Sequence, residues 1–212
     1  MIRIVKEGYR FIGASFLLAV VLGLGVHPYL GIVPLVLGLY FCYFFRNPKR
    51  QIEIDDSVIL SPADGTVYDV VELDHDEDEF VQGPCRKVTI FMSVFNVHVN
   101  RSPIQGTIKL QKYFCGRFRP AYKDEVGFDN EHHLLGIENE RLRITVKQIA
   151  GILARRIVSW VTLDDKMKQG ELYGMIRFGS CLEVVMPAEV EVGVKVGQKV
   201  TGGKTIIGRI KD

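Results

Sequence analysis

Three short stretches carry side chains that could do chemistry. Asp64 precedes Gly65 in SPADGTV (61–67), and His98 sits in the apolar run FMSVFNVHVNRSP (91–103). Gly179 and Ser180 lie just ahead of another apolar run in RFGSCLEVVMP (177–187). Taken singly, each has a plain structural reading: an Asp-Gly turn, a core histidine bonded to main chain, and a β-turn. Taken together, Asp, His and Ser are the ingredients of an activated nucleophile. The imidazole takes the serine proton and the carboxylate orients and charges the imidazole. The G-x-S-x-G pattern of the hydrolases is absent. Glycine precedes the serine instead, with no side chain to shield its carbonyl and with tolerance for strained backbone angles. A serine so placed can attack its own preceding peptide bond.

The elements that must position these residues are β-rich. SVILS, GTVYDVVEL, RKVTIFMS, GTIKLQKYF and RLRITVKQI read as strands, with Gly, Pro and Asp between them. ILARRIVSWV fits strand or helix. The acidic stretch DHDEDEF (74–80) reads as a solvated loop, because it lacks the glycine and terminal Glu of an EF-hand. The ending EVEVGVKVGQKVTGGKTIIGRI is a series of short strands with glycine at the turns. It is similar to the close of biotinyl and lipoyl carrier sandwiches, as is PADGTV. A carrier needs a modifiable lysine at a hairpin tip within Met-Lys-Met or Asp-Lys-Ala, and DDKMKQGE (164–171) is a poor match. The likeness is one of β-sandwich architecture rather than chemistry.

The chain has 212 residues, enough for one domain and an appendage, and a net charge of +2. Nucleic acid as a partner would call for a clear basic excess. Cys42, Cys85, Cys115 and Cys181 are scattered without a C-x-x-C pair, which suits neither a zinc site nor a disulfide framework.

The appendage is at the N-terminus. Residues 11–45 contain no Asp, Glu, Lys or Arg. GLGVHPY breaks this stretch, so two apolar helices are expected, roughly 9–25 and 29–45, with Pro28 in the first turn of the second. Seventeen residues make about 26 Å, a little under a hydrocarbon core of about 30 Å. A thin two-span hairpin and a re-entrant one both satisfy that length, with Pro34 as a candidate kink. Arg3, Lys6 and Arg10 precede the run and Arg46, Lys49 and Arg50 follow it, while the turn has no Lys or Arg. Both ends should therefore face the cytoplasm. The expected division is an anchoring hairpin at 1–47 and a β-sandwich domain at 48–212, giving a mainly β (β-rich α+β) fold preceded by a helical hairpin.

FFRNPKR (44–50), SPADGTV, FMSVFNVHVNRSP, QIAGILARRI (148–157) and RFGSCLEVVMP, in that order, resemble the short, membrane-anchored phosphatidylserine decarboxylases. The resemblance implies a self-processing enzyme of the cell membrane. Ser180 would attack the Gly179 carbonyl, and the chain would part into 1–179 and 180–212, a heterodimer of its own fragments. Ser180 would become a pyruvoyl group that forms a Schiff base with the substrate amine, in place of pyridoxal phosphate and without a metal. Asp64 and His98 would assist the serine, and His98 would handle a proton afterwards. Arg101, Arg155 and Arg156 are candidates for the lipid phosphate, since guanidinium suits that geometry. The substrate would be a phospholipid with a serine headgroup, on a diacyl or an archaeal ether backbone, and a symmetric dimer is the default assembly. Cys181, where larger members carry Thr, and His132, where short members tend to carry Arg, depart from the family pattern. The competing reading is a membrane-anchored, non-enzymatic sandwich, a carrier or a scaffold.

Overall fold

A computed structural model describes residues 2–116, 130–151, 156–177 and 180–210. The chain divides into two compact units, residues 1–49 and 50–212.

The first unit is a helical hairpin. Strand β1 (Ile2–Ile4) leads into helix α1 (Lys6–Gly25), a 3-10 turn at Pro28–Gly31, helix α2 (Ile32–Phe44) and strand β2 (Arg46–Pro48). Helix α1 thus starts three residues earlier than the apolar run suggested. Pro28 opens the 3-10 turn rather than α2, because its fixed φ and missing N–H suit a first helical position. Pro34 falls in the first turn of α2, where its missing N–H leaves no intrahelical bond unmade, so it does not act as a kink. The turn is tight because Gly31 comes against α1: a Cβ there would stand 2.7 Å from the Ala19 carbonyl oxygen. At the foot, β1 and β2 pair antiparallel and Val5 N–H donates to the Phe45 carbonyl, so the hairpin is closed at both ends. At 20 residues α1 is long and apolar enough to cross a membrane; the apolar helical segment Pro28–Phe44 is shorter. Leu17, Val20, Leu24, Val33, Val36 and Leu39 on these helices are exposed.

The second unit is β-rich. It runs through β3 (Val58–Leu60), β4 (Gly65–Leu73), β5 (Cys85–Met92), β6 (Val99–Arg101), β7 (Gly106–Phe114), β8 (His132–Glu138) and β9 (Arg143–Ala150). Then follow β10 (Ile157–Ser159), β11 (Lys166–Met167), β12 (Leu172–Ile176), β13 (Ser180–Pro187), β14 (Glu191–Val192), β15 (Lys199–Val200) and β16 (Ile206–Arg209). ILARRIVSWV resolves as strand over its described part, Ile157–Ser159. An eight-stranded sheet in the order β11-β7-β8-β9-β13-β5-β4-β15 is joined by two three-stranded sheets, β10-β12-β6 and β14-β16-β3. One apolar core links all three, with Ile59, Ile90, Val146, Tyr173, Leu182, Val184 and Ile207 among its members. Alternation along β13 explains its place at the centre: Leu182, Val184 and Met186 face this core, while Val185 joins a small cluster with Val81 and Cys85.

The acidic stretch 74–80 is a loop with Asp74, His75, Glu77 and Glu79 exposed, but it is not wholly solvated. Asp76 is buried and accepts from the N–H groups of Phe80 and Val81. Asp78 pairs with Lys112 on β7 and Glu77 with Lys147 on β9, so the loop lies on the sheet.

Candidate active site

Ser180 is the first residue of β13, and the register places it between Met92 at the end of β5 and Ala150 at the end of β9. On the far side of β5, Thr66 of β4 faces Phe91. The starts of β4 and β13 and the ends of β5 and β9 therefore lie along one end of the large sheet. Ser180 is 1% exposed. Its hydroxyl donates to the Met92 sulfur over 3.4 Å, a weak acceptor that leaves the oxygen little constrained. Gly179 lies outside the described residues. Cys181 points to the opposite face of the strand from Ser180. Burial, with Glu183 adding to it, pushes its thiol up to about 12, so it is a neutral thiol at physiological pH and no rival nucleophile.

Asp64 stands immediately before β4 in a segment pinned on two sides. The Arg101 N–H donates to the Pro62 carbonyl, and the Gly203 N–H donates to that of Ser61. The Asp64 carboxylate is gripped by Arg50 through two contacts of 2.7 Å and by the Gly202 N–H at 2.8 Å. Arg50 also donates to the Gly202 carbonyl. The Gly202-Gly203 turn requires glycine, since Gly203 has φ +72° and a Cβ there would press on the Arg101 side chain. Arg101 is buried and donates to the Gly170 carbonyl at 3.0 Å. Burial and the nearby Arg50 charge pull its guanidinium below its ordinary value, and Asp64 acts the other way. Arg50 is thus not part of a solvated basic flank, and Arg101 is not on a solvated strand face; both turn inward around Asp64.

His98 lies just before β6 and is fully buried. It is placed by a turn that the sequence encodes in Ser93 and Asn96. The Ser93 N–H and hydroxyl both donate to the Asn96 side-chain oxygen, at 2.9 and 2.7 Å. The Asn96 carbonyl then meets His98 Nδ1 at 2.9 Å. A carbonyl only accepts, so Nδ1 carries a proton, which leaves Nε2 as the nitrogen that can exchange one. The His98 carbonyl accepts from the Ile176 N–H, which ties this segment to β12. The structure thus brings His98 and Ser180 into the buried part of the fold, but it does not join Asp64 to the imidazole: Asp64 bonds to Arg50 and Gly202.

The profile of the phosphatidylserine decarboxylase family matches residues 37–208. The chain is 46% identical to the phosphatidylserine decarboxylase proenzyme of Carboxydothermus hydrogenoformans, over 97% of this chain and 96% of the relative. It is also 46% identical to the proenzyme of Symbiobacterium thermophilum, over 98% and 95% of the two chains. The Ehrlichia chaffeensis proenzyme is 43% identical over 98% and 91%.

The chain belongs to the phosphatidylserine decarboxylase family.

Two further positions can be placed in this family member. Arg156 is exposed, and its charge acts on Tyr113, whose hydroxyl donates to Glu131. Arg155 lies outside the described residues. His132 is stacked on Phe114 with ring centroids 4.5 Å apart, and its Nδ1 meets the Asn130 carbonyl at 2.8 Å. Burial lowers its pKa, which favours a neutral ring there rather than a stand-in for an arginine charge.

Sequence reasoning missed Arg50, Gly202 and Gly203 as neighbours of Asp64. The signal was present but ambiguous. Arg50 sits in a basic cluster beside the apolar run, and the Gly-Gly pair sits in a stretch that reads as a carrier-like hairpin.

Proposed function

We propose that this chain decarboxylates phosphatidylserine to phosphatidylethanolamine, using a pyruvoyl group that it makes from Ser180 by breaking its own Gly179–Ser180 bond. Family membership supports the reaction, and the name proenzyme borne by the relatives supports a processed chain. Both favour an enzyme over a carrier or scaffold. The observation that carries the reading is the Ser180 hydroxyl, buried at the start of β13 and held by a soft sulfur rather than a strong acceptor.

In the self-cleavage, Ser180 Oγ bonds to the Gly179 carbonyl carbon and the C–N bond breaks, giving an ester. Loss of the Ser180 Cα proton then expels the Gly179 carboxylate from Cβ. Water finally releases the nitrogen as ammonia, leaving a carbonyl at the new terminus. The fragments are 1–179 and 180–212. The residues present fit such a group, because its carbon skeleton is that of Ser180 and the surrounding site is buried. Once formed, a pyruvoyl group supplies an electron sink for the pair left behind when CO₂ departs.

His98 acts as the base, taking the Ser180 proton on Nε2 while Nδ1–H stays on the Asn96 carbonyl. After maturation the same nitrogen returns a proton to the substrate carbon. Asp64 serves by ordering: its carboxylate ties Arg50 to the Gly202 N–H and so fixes the strand starts bordering the site. Arg156, exposed, is the arginine suited to a lipid phosphate, with Arg155 beside it in sequence. The hairpin holds the enzyme at the bilayer where its substrate resides, with the β-rich unit on the cytoplasmic side, as the basic residues at both ends of the apolar run favour.

The intact mass of the purified protein tests this. Two chains, the shorter beginning with pyruvoyl in place of serine, are expected. A single full-length chain retaining Ser180 would overturn the proposal.

A further inference from the structure

A line of amides and one imidazole runs from the half-buried Gln111 into the interior of the β-rich unit and ends beside Ser180. Gln111 Nε2 lies 3.2 Å from the Val161 carbonyl oxygen and 3.1 Å from His133 Nε2. His133 Nδ1 meets Gln148 Oε1 at 2.9 Å. Gln148 Nε2 meets Asn100 Oδ1 at 2.7 Å. Asn100 Nδ2 reaches the Met92 sulfur at 3.8 Å, the same sulfur that receives the Ser180 hydroxyl. Asn100 and Gln148 are fully buried and His133 is 2% exposed, so water does not compete for the bonds among these three, while Gln111 at the far end is half-buried.

The direction of the line follows from its far end. A main-chain carbonyl only accepts, so Val161 fixes the Gln111 amide with its N–H₂ inward. His133 Nε2 must then accept, which puts the ring proton on Nδ1. Gln148 must accept there and donate onward, and Asn100 must accept from Gln148 and present its N–H to the Met92 sulfur that also receives the Ser180 hydroxyl. Reversing Gln148 or Asn100 would set two acceptors or two donors face to face in a dry interior.

We propose that Gln111, His133 and Gln148 are positioning residues that hold the Asn100 carboxamide with a donor, not an acceptor, toward the Ser180 site. This inference rests on the function proposed above. An N–H aimed at the place where negative charge develops, on the attacked carbonyl and later on the substrate, stabilises that charge at no cost in reorganisation. An oxygen in its place would bind the Ser180 hydroxyl and repel the developing charge. Met92 sulfur suits the resting state because it holds both donors weakly.

Gln148→Glu tests the polarity at nearly constant volume. The carboxylate still accepts from His133, but its other oxygen forces Asn100 to turn its N–H away from Ser180. Self-cleavage in the full-length protein should fall by about 10²-fold. It should recover as the pH is lowered, because the introduced carboxyl, once protonated, can again donate to Asn100 Oδ1. The titratable side chains nearby are His133 on β8, Tyr113 on β7 with its partner Glu131, and His98 two residues before Asn100. They are common to parent and variant, so an acid recovery seen in the variant alone belongs to position 148. Gln148→Met, which keeps volume and leaves Asn100 free to turn either way, should lose less and show no acid recovery. Equal losses in the two variants at every pH, or a parent-like rate in either, would overturn the inference. Should Gln148→Glu not fold, Gln148→Met alone decides it, a parent-like rate refuting it and a slowed rate at unchanged Tm supporting it. A parent chain that never splits removes the proposed function and this inference together; a parent that splits while the variants match it removes this inference alone.

Discussion

At the scale of single residues, the site depends on which atom each polar group has been given as a partner. Ser180 has a sulfur, so its hydroxyl can be deprotonated without first breaking a strong bond. Ser180→Ala should therefore remain one uncut chain, checked by denaturing gel and intact mass; cleavage between 179 and 180 in that variant would remove the serine mechanism. His98 and Asp64 are expected to differ once the chain is mature. His98 has its tautomer fixed by Asn96 and still has a proton to move, whereas Asp64 is occupied with Arg50 and Gly202. Matured by slow cleavage or by co-expressing the two fragments, His98→Ala should lose about 10²–10⁴-fold in turnover. Asp64→Asn, matured the same way, should recover a substantial part of the parent rate, since an amide oxygen can still accept from Gly202. Turnover per pyruvoyl group, counted by hydrazine labelling, is the measurement. A matured His98→Ala as fast as the parent would confine His98 to maturation.

At the scale of elements, β8 carries a titratable group into the core. Burial lowers the pKa of His133, and its bond to Gln148 acts the other way without restoring the ordinary value. The unfolded chain frees the ring to titrate near about 6.5. Below that pH the unfolded state binds more protons than the folded one, so stability falls as pH falls. Above it both states are neutral and the contribution vanishes. His132, lowered in the same direction, adds to the same slope. Thermal unfolding from pH 7 to pH 5 should thus show a falling Tm, and the fall should be shallower in His133→Gln. Parallel slopes would mean that His133 does not change protonation on unfolding.

At the scale of the whole molecule, the chain is two compact units with different chemistry on their surfaces. The first exposes Leu, Val and Ile along both helices, and the second holds every side chain given a role in the reaction. Removing residues 1–49 should release the protein from the membrane fraction while Ser180 is still processed. Turnover should then fall much more on lipid in a bilayer than on a dispersed short-chain substrate. Equal losses on both would show that the hairpin contributes to the chemistry itself.

Much of this protein was legible in the order of its residues. The uncharged run of 35 residues with glycine and proline at its middle specified a helical hairpin, because no soluble turn or strand pattern accommodates it. Alternation specified β4, β5, β7 and β9, because a strand with one face buried repeats every two residues. Ser180, His98 and Asp64 stood out because their types suit an activated serine, with glycine beside Ser180 and Asp64. Pairing was decided only in three dimensions. Sheet order sets Met92 between the starts of β4 and β13, and no local pattern encodes which strand lies beside which. Asp64 went to Arg50 and Gly202, which lie 14 and 138 residues away, rather than to His98. Buried charge must find its counter-charge wherever the fold brings one. The polarity of Asn100 was likewise settled by a carbonyl at Val161, three hydrogen-bonded side chains away, because in a dry interior each donor's direction is dictated by its neighbour.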